Sequence, residues 1–558
     1  MEFDGALVSS DPFDPAPPAK SAEVTAGETP FDTAPPPAAQ ARRLRLALAP
    51  EALPRLRRHP LLHALTQGRS SRTALRATGF DTAEFDLERG GLALRVRRVG
   101  RHYVQALEHL EPIESARGVL ESLVATGEPD LTRLPDPAER ARALEQIGAR
   151  PLAAAFEIDL VRFRRVLRED ASELDLDLEV GEIRSVVAGS EEPESRVLPI
   201  CELELTARTG DPGSPWRLAL ELLDDLGLRP SPLGLSERGL ALAAGRPPAS
   251  RKAARPLVDA DASVETLLVA VVDACLEQAT ANEPAASAGI DPEGVHQMRV
   301  GLRRMRSALA FFAPMIPASQ RERLRGELRW LAGELGPARD LDVFTGELFP
   351  PLQALRPGDA ALGRMREAAL AARAEGYARA HDALHSPRYP RLVLELGLWL
   401  ARRAWRDQPV SEHSAALFQP ARPWAAALLE RRYRKARKLG RRLAESSPAE
   451  RHRLRIRLKK LRYGAEFSRG LFPLKKTDRY VRRLAQLQDA LGRLNDFALG
   501  ERLVAERLAR EDAGSDAATA RAGGLASGWF AHASQLEVEA LVALWERFEE
   551  AGRFWPRA

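Results

Sequence analysis

Cysteine is nearly absent from this chain of 558 residues, which contains only Cys201 and Cys275. Two cysteines are too few for a disulfide framework or for a metal site built from cysteines, and such scarcity is typical of proteins in a reducing cytosol. The composition therefore predicts a cytoplasmic protein.

Long apolar runs are lacking as well. The longest stretches, such as LLVAVV at residues 267–272, fall far short of the roughly 20 residues that a membrane-spanning helix needs. The first forty residues are acidic and contain no apolar stretch of the kind found in a secretory signal. We therefore expect a soluble protein that has no membrane partner.

Positive charge is unevenly distributed along the chain. Residues 1–250 contain 31 lysines and arginines against 40 aspartates and glutamates, whereas residues 251–558 contain 52 against 38. The C-terminal half is thus strongly basic, and this imbalance predicts that its partner is an anion.

Composition and periodicity divide the chain into four segments. Residues 1–40 are rich in proline and alanine and too poor in large apolar side chains to fold, so a disordered tail is expected. The tripeptide PFD occurs there twice, at 12–14 and 30–32, either as a docking motif for a protein partner or by chance. Residues 41–245 form a first domain, residues 246–259 have the composition of a linker, and residues 260–558 form a second domain.

The two domains differ in periodicity. In the first, SELDLDLEVGEIRSVV (172–187) and ICELELTAR (200–208) alternate apolar and polar residues with a period of two, which predicts antiparallel strands. Beyond about residue 259 a 3.6-residue periodicity replaces this pattern and predicts a helical bundle. The predicted fold is therefore a multidomain α+β protein, with an antiparallel sheet domain followed by an all-α domain.

An unusual basic pattern occurs twice in the second domain. HQMRVGLRRMRS begins at His296 and HRLRIRLKKLRY begins at His452, an offset of 156 residues. The same offset separates LGPARD, which ends at Asp340, from LGRLND, which ends at Asp496. Two motif pairs with one offset predict a bundle of two related repeats, each with a long basic helix followed by a helix that carries the second motif.

On a helical wheel, each basic helix has a cationic side and an apolar side. A row of like charges destabilises a helix unless an anion lies between them, so two such rows suit a linear polyanion. The candidate ligand residues are His296, Arg299, Arg303, Arg304 and Arg306 in the first copy and His452, Arg455, Lys459, Lys460 and Arg462 in the second.

Other interpretations of these helices stay open. A basic face can simply be solvated, the two histidines can be buried capping residues, and rows of arginine also attract the phosphates of nucleic acid. Nucleic acid is the less favoured anion, because Tyr463 is the only aromatic residue in either copy and proteins that bind single strands stack bases on aromatic side chains.

The second motif contributes both charged and polar residues. Carboxylates repel a polyanion, so these side chains are expected to orient the cations or to cap a helix rather than to bind the ligand. The residues in question are Arg339, Asp340, Asn495 and Asp496.

These segments closely resemble the conserved histidine α-helical domain, CHAD, over roughly residues 260–510. The resemblance implies a helical two-repeat bundle that binds inorganic polyphosphate in a groove lined by the basic residues of both copies. It also implies that the protein associates with polyphosphate granules.

Residues 42–245 look like a CYTH domain, the triphosphate tunnel fold, on segments such as LALAPEALPRL and PICELELTARTGDP. The resemblance implies an antiparallel barrel whose inward carboxylates hold Mg²⁺ and whose inward bases hold a triphosphate. The chain departs from the family's opening Glu-x-Glu-x-Lys strand, where it has Ala41, Arg43 and Arg45, and it has Glu108 and Leu235 where lysines are expected.

These departures predict a degenerate domain that performs no catalysis and requires no cofactor, because a metal needs several oxygen ligands. Its remaining charged side chains are then expected to be solvated or to form salt bridges. The alternative is a Mg²⁺-dependent triphosphatase or polyphosphate-processing enzyme that uses the remaining carboxylates. These are Asp175, Glu179, Glu202 and Glu204.

Overall fold

The structure is a computed structural model that describes residues 43–110, 119–186, 196–254, 256, 258–505 and 517–556. The predicted tail, with both copies of PFD, lies outside these ranges. The described residues form two compact units. The first comprises the chain up to Pro248 together with Pro387–Ala404, and the second comprises Ala249–Ser386 together with the chain from Trp405 onward.

The first unit is built on one sheet of nine strands, and all of its strand pairs are antiparallel. The strands are β1 (Arg43–Ala47), β2 (Thr66–Asp81), β3 (Leu92–Val99), β4 (His102–His109), β5 (Leu120–Val124), β6 (Ala153–Glu169), β7 (Ser172–Ser185), β8 (Val197–Thr209) and β9 (Arg229–Pro230). Their order across the sheet is β5, β4, β3, β2, β6, β7, β8, β1, β9. Within the described ranges the edge strands β5 and β9 do not pair with each other, so the predicted closure into a barrel is not confirmed and the sheet is open.

Alternation along β7 shows how the sequence determines the two faces of this sheet. Leu174, Leu176 and Leu178 are fully buried in an apolar core, whereas Asp177 and Glu179, which alternate with them, project from the other face. The strand register places Asp177 beside Arg164 on β6 and Glu204 on β8. Opposite charges from three strands are therefore collected on one face.

Short helices cover parts of this sheet. They are α1 (Leu53–Arg57), α2 (Pro60–Leu65), α3 (Asp86–Arg89), α4 (Pro137–Ile147), α5 (Ser214–Leu226) and α6 (Leu235–Ala244).

A further helix of the first unit comes from much later in the chain, at Arg388–Ala401. It packs against α5, where its Leu394 is buried in the core of the sheet. A Cβ atom at Gly397 would lie 2.2 Å from the ring of Trp216, so the two helices approach closely at this point. The sequence alone assigns this segment to the second domain, because it lies among helices of that domain in the chain. Helical periodicity does not show which apolar surface a helix will pack against.

The second unit is helical. Its helices before residue 386 are α7 (Val264–Ala281), α8 (Glu283–Ala288), α9 (Pro292–Phe311), α10 (Ala318–Glu334), α11 (Gly336–Val343), α12 (Phe349–Leu355) and α13 (Ala360–His385). Counted along the chain, Arg388–Ala401 is α14. The later helices of the second unit are α15 (Glu412–Ala415), α16 (Ala421–Gly440), α17 (Pro448–Phe467), α18 (Leu474–Leu503) and α19 (Ala517–Glu550).

The offset between the sequence motifs extends to the ends of whole helices. Both bounds of α9 and α17 differ by 156 residues (292 and 448, 311 and 467), as do the first residues of α10 and α18 (318 and 474). The side chains that cap α9 and α17, Asp291 and Ser447, also correspond.

The two basic helices contact each other at equivalent residues. The rings of Phe311 and Phe467 meet edge to face, with 5.9 Å between their centroids. This contact between α9 and α17 brings the two halves of the bundle together beside their basic side chains. No helix in the described part of the chain is long and apolar enough to cross a membrane.

Candidate polyanion site

A cleft of about 960 Å³ lies between α9 and α17 and is also lined by α11 and α18. Residues from both halves of the bundle form its walls. Eleven of the residues singled out in the sequence line it, namely His296, Arg299, Arg303, Arg304, Arg339, Asp340, Arg455, Lys459, Arg462, Asn495 and Asp496.

The α9 side of the cleft is formed by residues three or four positions apart, which share one side of a helix. Nη1 of Arg299 donates to the carbonyl oxygen of Ala332 at 2.5 Å. Nε of Arg303 donates to the hydroxyl oxygen of Tyr463 on α17 at 2.7 Å. The second hydrogen bond joins the two repeats across the cleft.

The α17 side has the same spacing of cations but different hydrogen-bond partners. Nη1 of Arg455 donates to Oδ1 of Asn495 at 3.0 Å, and Nε of Arg462 donates to a carboxylate oxygen of Glu466 at 2.7 Å. Lys459 lies one helical turn from each of these arginines, so a guanidinium group lies on either side of it along the helix.

Four cations at equivalent positions of the two repeats are not neutralised by direct ion pairs. In the described part of the chain, none of Arg299, Arg303, Arg455 and Lys459 has a carboxylate oxygen within 4.0 Å of a side-chain nitrogen. Arg299 corresponds to Arg455, and Arg303 to Lys459, at the offset of 156 residues. The cleft therefore presents two cations from each repeat that form no direct ion pair.

Burial and neighbouring cations lower the pKa of two of these cleft side chains. The pKa of Lys459 falls from 10.5 to about 7, first because of burial and then because of Arg455 and Arg303. The pKa of His296 is also lowered from its ordinary value, first by burial and then by Arg339. Both groups lose protons more readily than usual, and an anion in the cleft would reverse this effect.

Two carboxylates lie at equivalent positions in the cleft. Burial raises the pKa of Asp340, against the effect of Arg299, and it raises the pKa of Asp496, against the effect of Arg455. Each aspartate thus faces the corresponding arginine of its own repeat, as expected for a group that orients the guanidinium.

Four of the predicted ligand residues have other positions or roles. The residues that line the cleft do not include Arg306, His452 or Lys460. Arg304 is only 5% exposed and donates from Nη1 to Oε1 of Gln278 at 2.7 Å, so it supports the cleft wall. The possibility that the histidines are helix caps is not realised, because Asp291 and Ser447 cap these helices.

The sequence motifs missed a second row of cleft residues on α18, which includes Gln488, Asp489, Gly492 and Arg493. These precede Asp496 by eight, seven, four and three positions, the spacing of one helix face. A helical wheel centred on Asp496 would have found them. In the sequence Tyr463 stands out only as an aromatic residue, whereas in the structure its hydroxyl group joins the two repeats.

The sheet of the first unit carries the other candidate site, where arginines bind all four remaining carboxylates. Glu202 accepts two hydrogen bonds from Arg238, at 2.7 and 2.8 Å. Glu204 accepts one from Arg45 at 3.2 Å. Nη2 of Arg162 lies 2.5 Å from Oε1 of Glu179, and Nε of Arg208 lies 2.8 Å from Oδ1 of Asp175.

Three of the positions that depart from the tunnel pattern also form ion pairs. Ala41 lies outside the described residues, while Arg43 and Arg45 both form ion pairs with Glu204. Glu108 pairs with Arg95 at 2.6 Å. Within the described ranges, no group of three or more histidine, cysteine, aspartate or glutamate side chains is arranged to hold a metal ion.

Two models of known protein families match this chain, one in each of its two domains. The CYTH domain model matches residues 43–231, and the CHAD domain model matches residues 270–505. The chain contains a CYTH domain followed by a CHAD domain. The uncharacterized protein Rv2226 of Mycobacterium tuberculosis is 32% identical to this CYTH and CHAD protein over 238 residues, which are 41% of this chain and 43% of that protein. The chain thus spans less than half the length of the curated relatives it matches.

Two solved structures are similar to parts of this chain. The CHAD domain from the plant Ricinus communis is 32% identical, with a TM-score of 0.47, and the match covers 55% of this chain and 99% of that one. The protein HpAC1 from Hippeastrum, which has a dominant triphosphatase activity, is 17% identical, with a TM-score of 0.21, and the match covers 37% of this chain and 95% of that one.

Proposed function

We propose that this protein binds inorganic polyphosphate in the cleft of its CHAD domain and thereby associates with polyphosphate granules. One observation carries the proposal: Arg299 and Arg303 of one repeat and Arg455 and Lys459 of the other line a single cleft. Such a set of cations is costly to hold together unless an anion binds between them.

The shape of the cationic surface favours a linear ligand. Within each repeat the paired cations are four residues apart, which is about 6 Å along a helix axis. The two rows face the same cleft, so that one chain of phosphates would contact both. Arginine donors bind phosphate oxygens through charge-assisted hydrogen bonds, which are stronger than neutral ones.

The CYTH domain has a different role in this proposal. Each carboxylate that could bind Mg²⁺ is already held by an arginine, and displacing that arginine would leave a buried or half-buried cation without its partner. We propose that the ion pairs stabilise the sheet and that the domain releases no phosphate. The triphosphatase alternative requires that these pairs open when a metal binds.

The test is a binding comparison with the full chain, in which long-chain polyphosphate competes with duplex DNA and RNA of equal phosphate content. The full chain is needed because α14 belongs to the unit of the sheet, and a C-terminal fragment would expose Leu394, which is now buried. We expect polyphosphate to bind more tightly than either nucleic acid, with an affinity that falls steeply as salt rises. Equal or tighter binding of nucleic acid would contradict the proposal.

A further inference from the structure

A second cluster of cations lies on the far side of α17 from the cleft. At about 100° per residue, Arg457 and Lys460 stand roughly 150° around the helix from Arg455 and Lys459. Both Arg457 and Lys460 are exposed. Together with basic residues on neighbouring helices they form a cluster that we call the outer basic surface. It consists of Arg325, Arg432, Lys435, Arg457 and Lys460.

Direct contacts hold one member of this surface against α17. Nη1 of Arg432, on α16, donates to the carbonyl oxygen of Lys460. The same guanidinium lies over the ring of Phe311, 4.7 Å from its centroid. Arg432 is thus fixed beside the Lys460 backbone by a hydrogen bond and a cation–π contact.

The charges that most affect Lys460 are cations. Burial lowers its pKa first, followed by Arg457, Arg432 and Arg325 and then by Lys435. All four charges that lower it are cations from three different helices. Arg325 also binds Glu322 at 2.9 Å.

The first repeat uses the equivalent positions differently. Gly301 corresponds to Arg457 and Arg304 to Lys460 at the offset of 156 residues. A Cβ atom at Gly301 would lie 2.8 Å from the backbone nitrogen of Ala279, and Arg304 is buried against Gln278. This side of the helix is a packing surface in the first repeat and a cation cluster in the second, so the fold of the repeat does not require the cations.

We propose that the outer basic surface is a second phosphate-binding site, which holds the part of a long polyphosphate chain that extends beyond the cleft. This inference rests on the proposed function of the cleft. Lys459 and Lys460 are consecutive residues about 100° apart around one helix, and an α-helix with its side chains is about 10 Å across. A long chain that leaves the cleft near Lys459 reaches the outer surface by passing around α17, whereas a short chain remains in the cleft.

The test compares ligands of different length on one pair of variants of the full chain. Arg457→Gln with Lys460→Gln removes two charges from the outer surface, and Arg366→Gln with Arg547→Gln removes two charges from exposed sites on α13 and α19. We expect the first variant to bind long-chain polyphosphate about tenfold more weakly than the parent. Its affinity for tripolyphosphate should be unchanged, and the second variant should bind both ligands as the parent does. Thermal unfolding of each variant verifies that it is folded.

Three outcomes would overturn this inference. They are unchanged affinity for both ligands, an equal loss for both, and, in a parallel titration with RNA of the same phosphate content, a loss confined to RNA, which would make the surface a nucleic-acid site. The first and the third leave binding in the cleft intact, whereas an equal loss means that the variant disturbs the cleft itself. A parent protein that binds neither form of polyphosphate would remove the proposed function as well.

Discussion

Polyphosphate binding should depend on pH through one lysine of the cleft. The pKa of Lys459 is lowered to about 7 by burial and by its cationic neighbours, so the side chain is only partly charged near neutral pH. Phosphate oxygens in the cleft would raise that pKa again, and each unit of increase adds about 1.4 kcal/mol to binding. Binding is then coupled to the protonation of Lys459, so the affinity for polyphosphate falls as the pH rises.

The sign and the size of the effect follow from this linkage. Below a pH of about 7 Lys459 is protonated with or without ligand, so it contributes no pH dependence there. Above that value the affinity should fall by about tenfold per pH unit until the pKa of the bound state is reached. Between about pH 7 and 9 the expected loss is therefore roughly hundredfold.

Titration calorimetry of the full chain in two buffers with different heats of ionisation measures this proton uptake. At a pH of about 8 the parent should take up close to one proton per bound site. Lys459→Arg keeps the positive charge at all these pH values, so it should take up almost none and should bind with nearly constant affinity. If the parent shows no decline above neutral pH, or if Lys459→Arg declines equally, the electrostatic account of the cleft is wrong.

Three further predictions concern the first unit. Gly397→Ala should lower the free energy of unfolding by about 1–3 kcal/mol, because the new methyl group would lie 2.2 Å from the ring of Trp216. The measurement is thermal unfolding, and the matched control is Gly333→Ala, whose methyl group would meet no atom within 4 Å. The parent should release no phosphate from tripolyphosphate with Mg²⁺ or Mn²⁺. Glu202→Gln should lower the free energy of unfolding by about 1–3 kcal/mol, because it breaks the charge-assisted hydrogen bonds from Arg238. Metal-dependent phosphate release by the parent that Glu202→Gln abolishes would instead show that the domain is a triphosphatase.

The helices of the cleft were accessible to sequence reasoning, because their pattern is local and occurs twice. Apolar residues such as Met298 and Leu302 appear at helical spacing, and both are buried in the structure. The shared offset of the two motif pairs also identified α9 and α17 as equivalents. The sequence is a poorer guide to which basic residues face the cleft. Lys459 and Lys460 are neighbours in the sequence, and only the packing of α16 and α10 distinguishes their surroundings.

Long-range contacts account for what the sequence did not reveal in the first unit. The helix α14 is separated from the sheet domain by more than a hundred residues, and its packing is evident only from tertiary contacts, such as the burial of Leu394 in the core of the sheet and the close approach of Gly397 to Trp216. The strand periodicity of β7 and β8 was readable, but closure of a sheet depends on whether its edges meet. A period of two contains no information about that distance.

The most direct test of the central claim, that both repeats hold one polyphosphate chain in a shared cleft, is the affinity of single variants at equivalent positions. Arg303→Gln and Lys459→Gln each remove one cation, at positions 156 residues apart, and their affinities for long-chain polyphosphate are measured beside Arg366→Gln. The account predicts that each cleft variant binds about tenfold more weakly, while the control stays within about twofold of the parent. Parent-like affinity in either cleft variant would contradict the shared cleft.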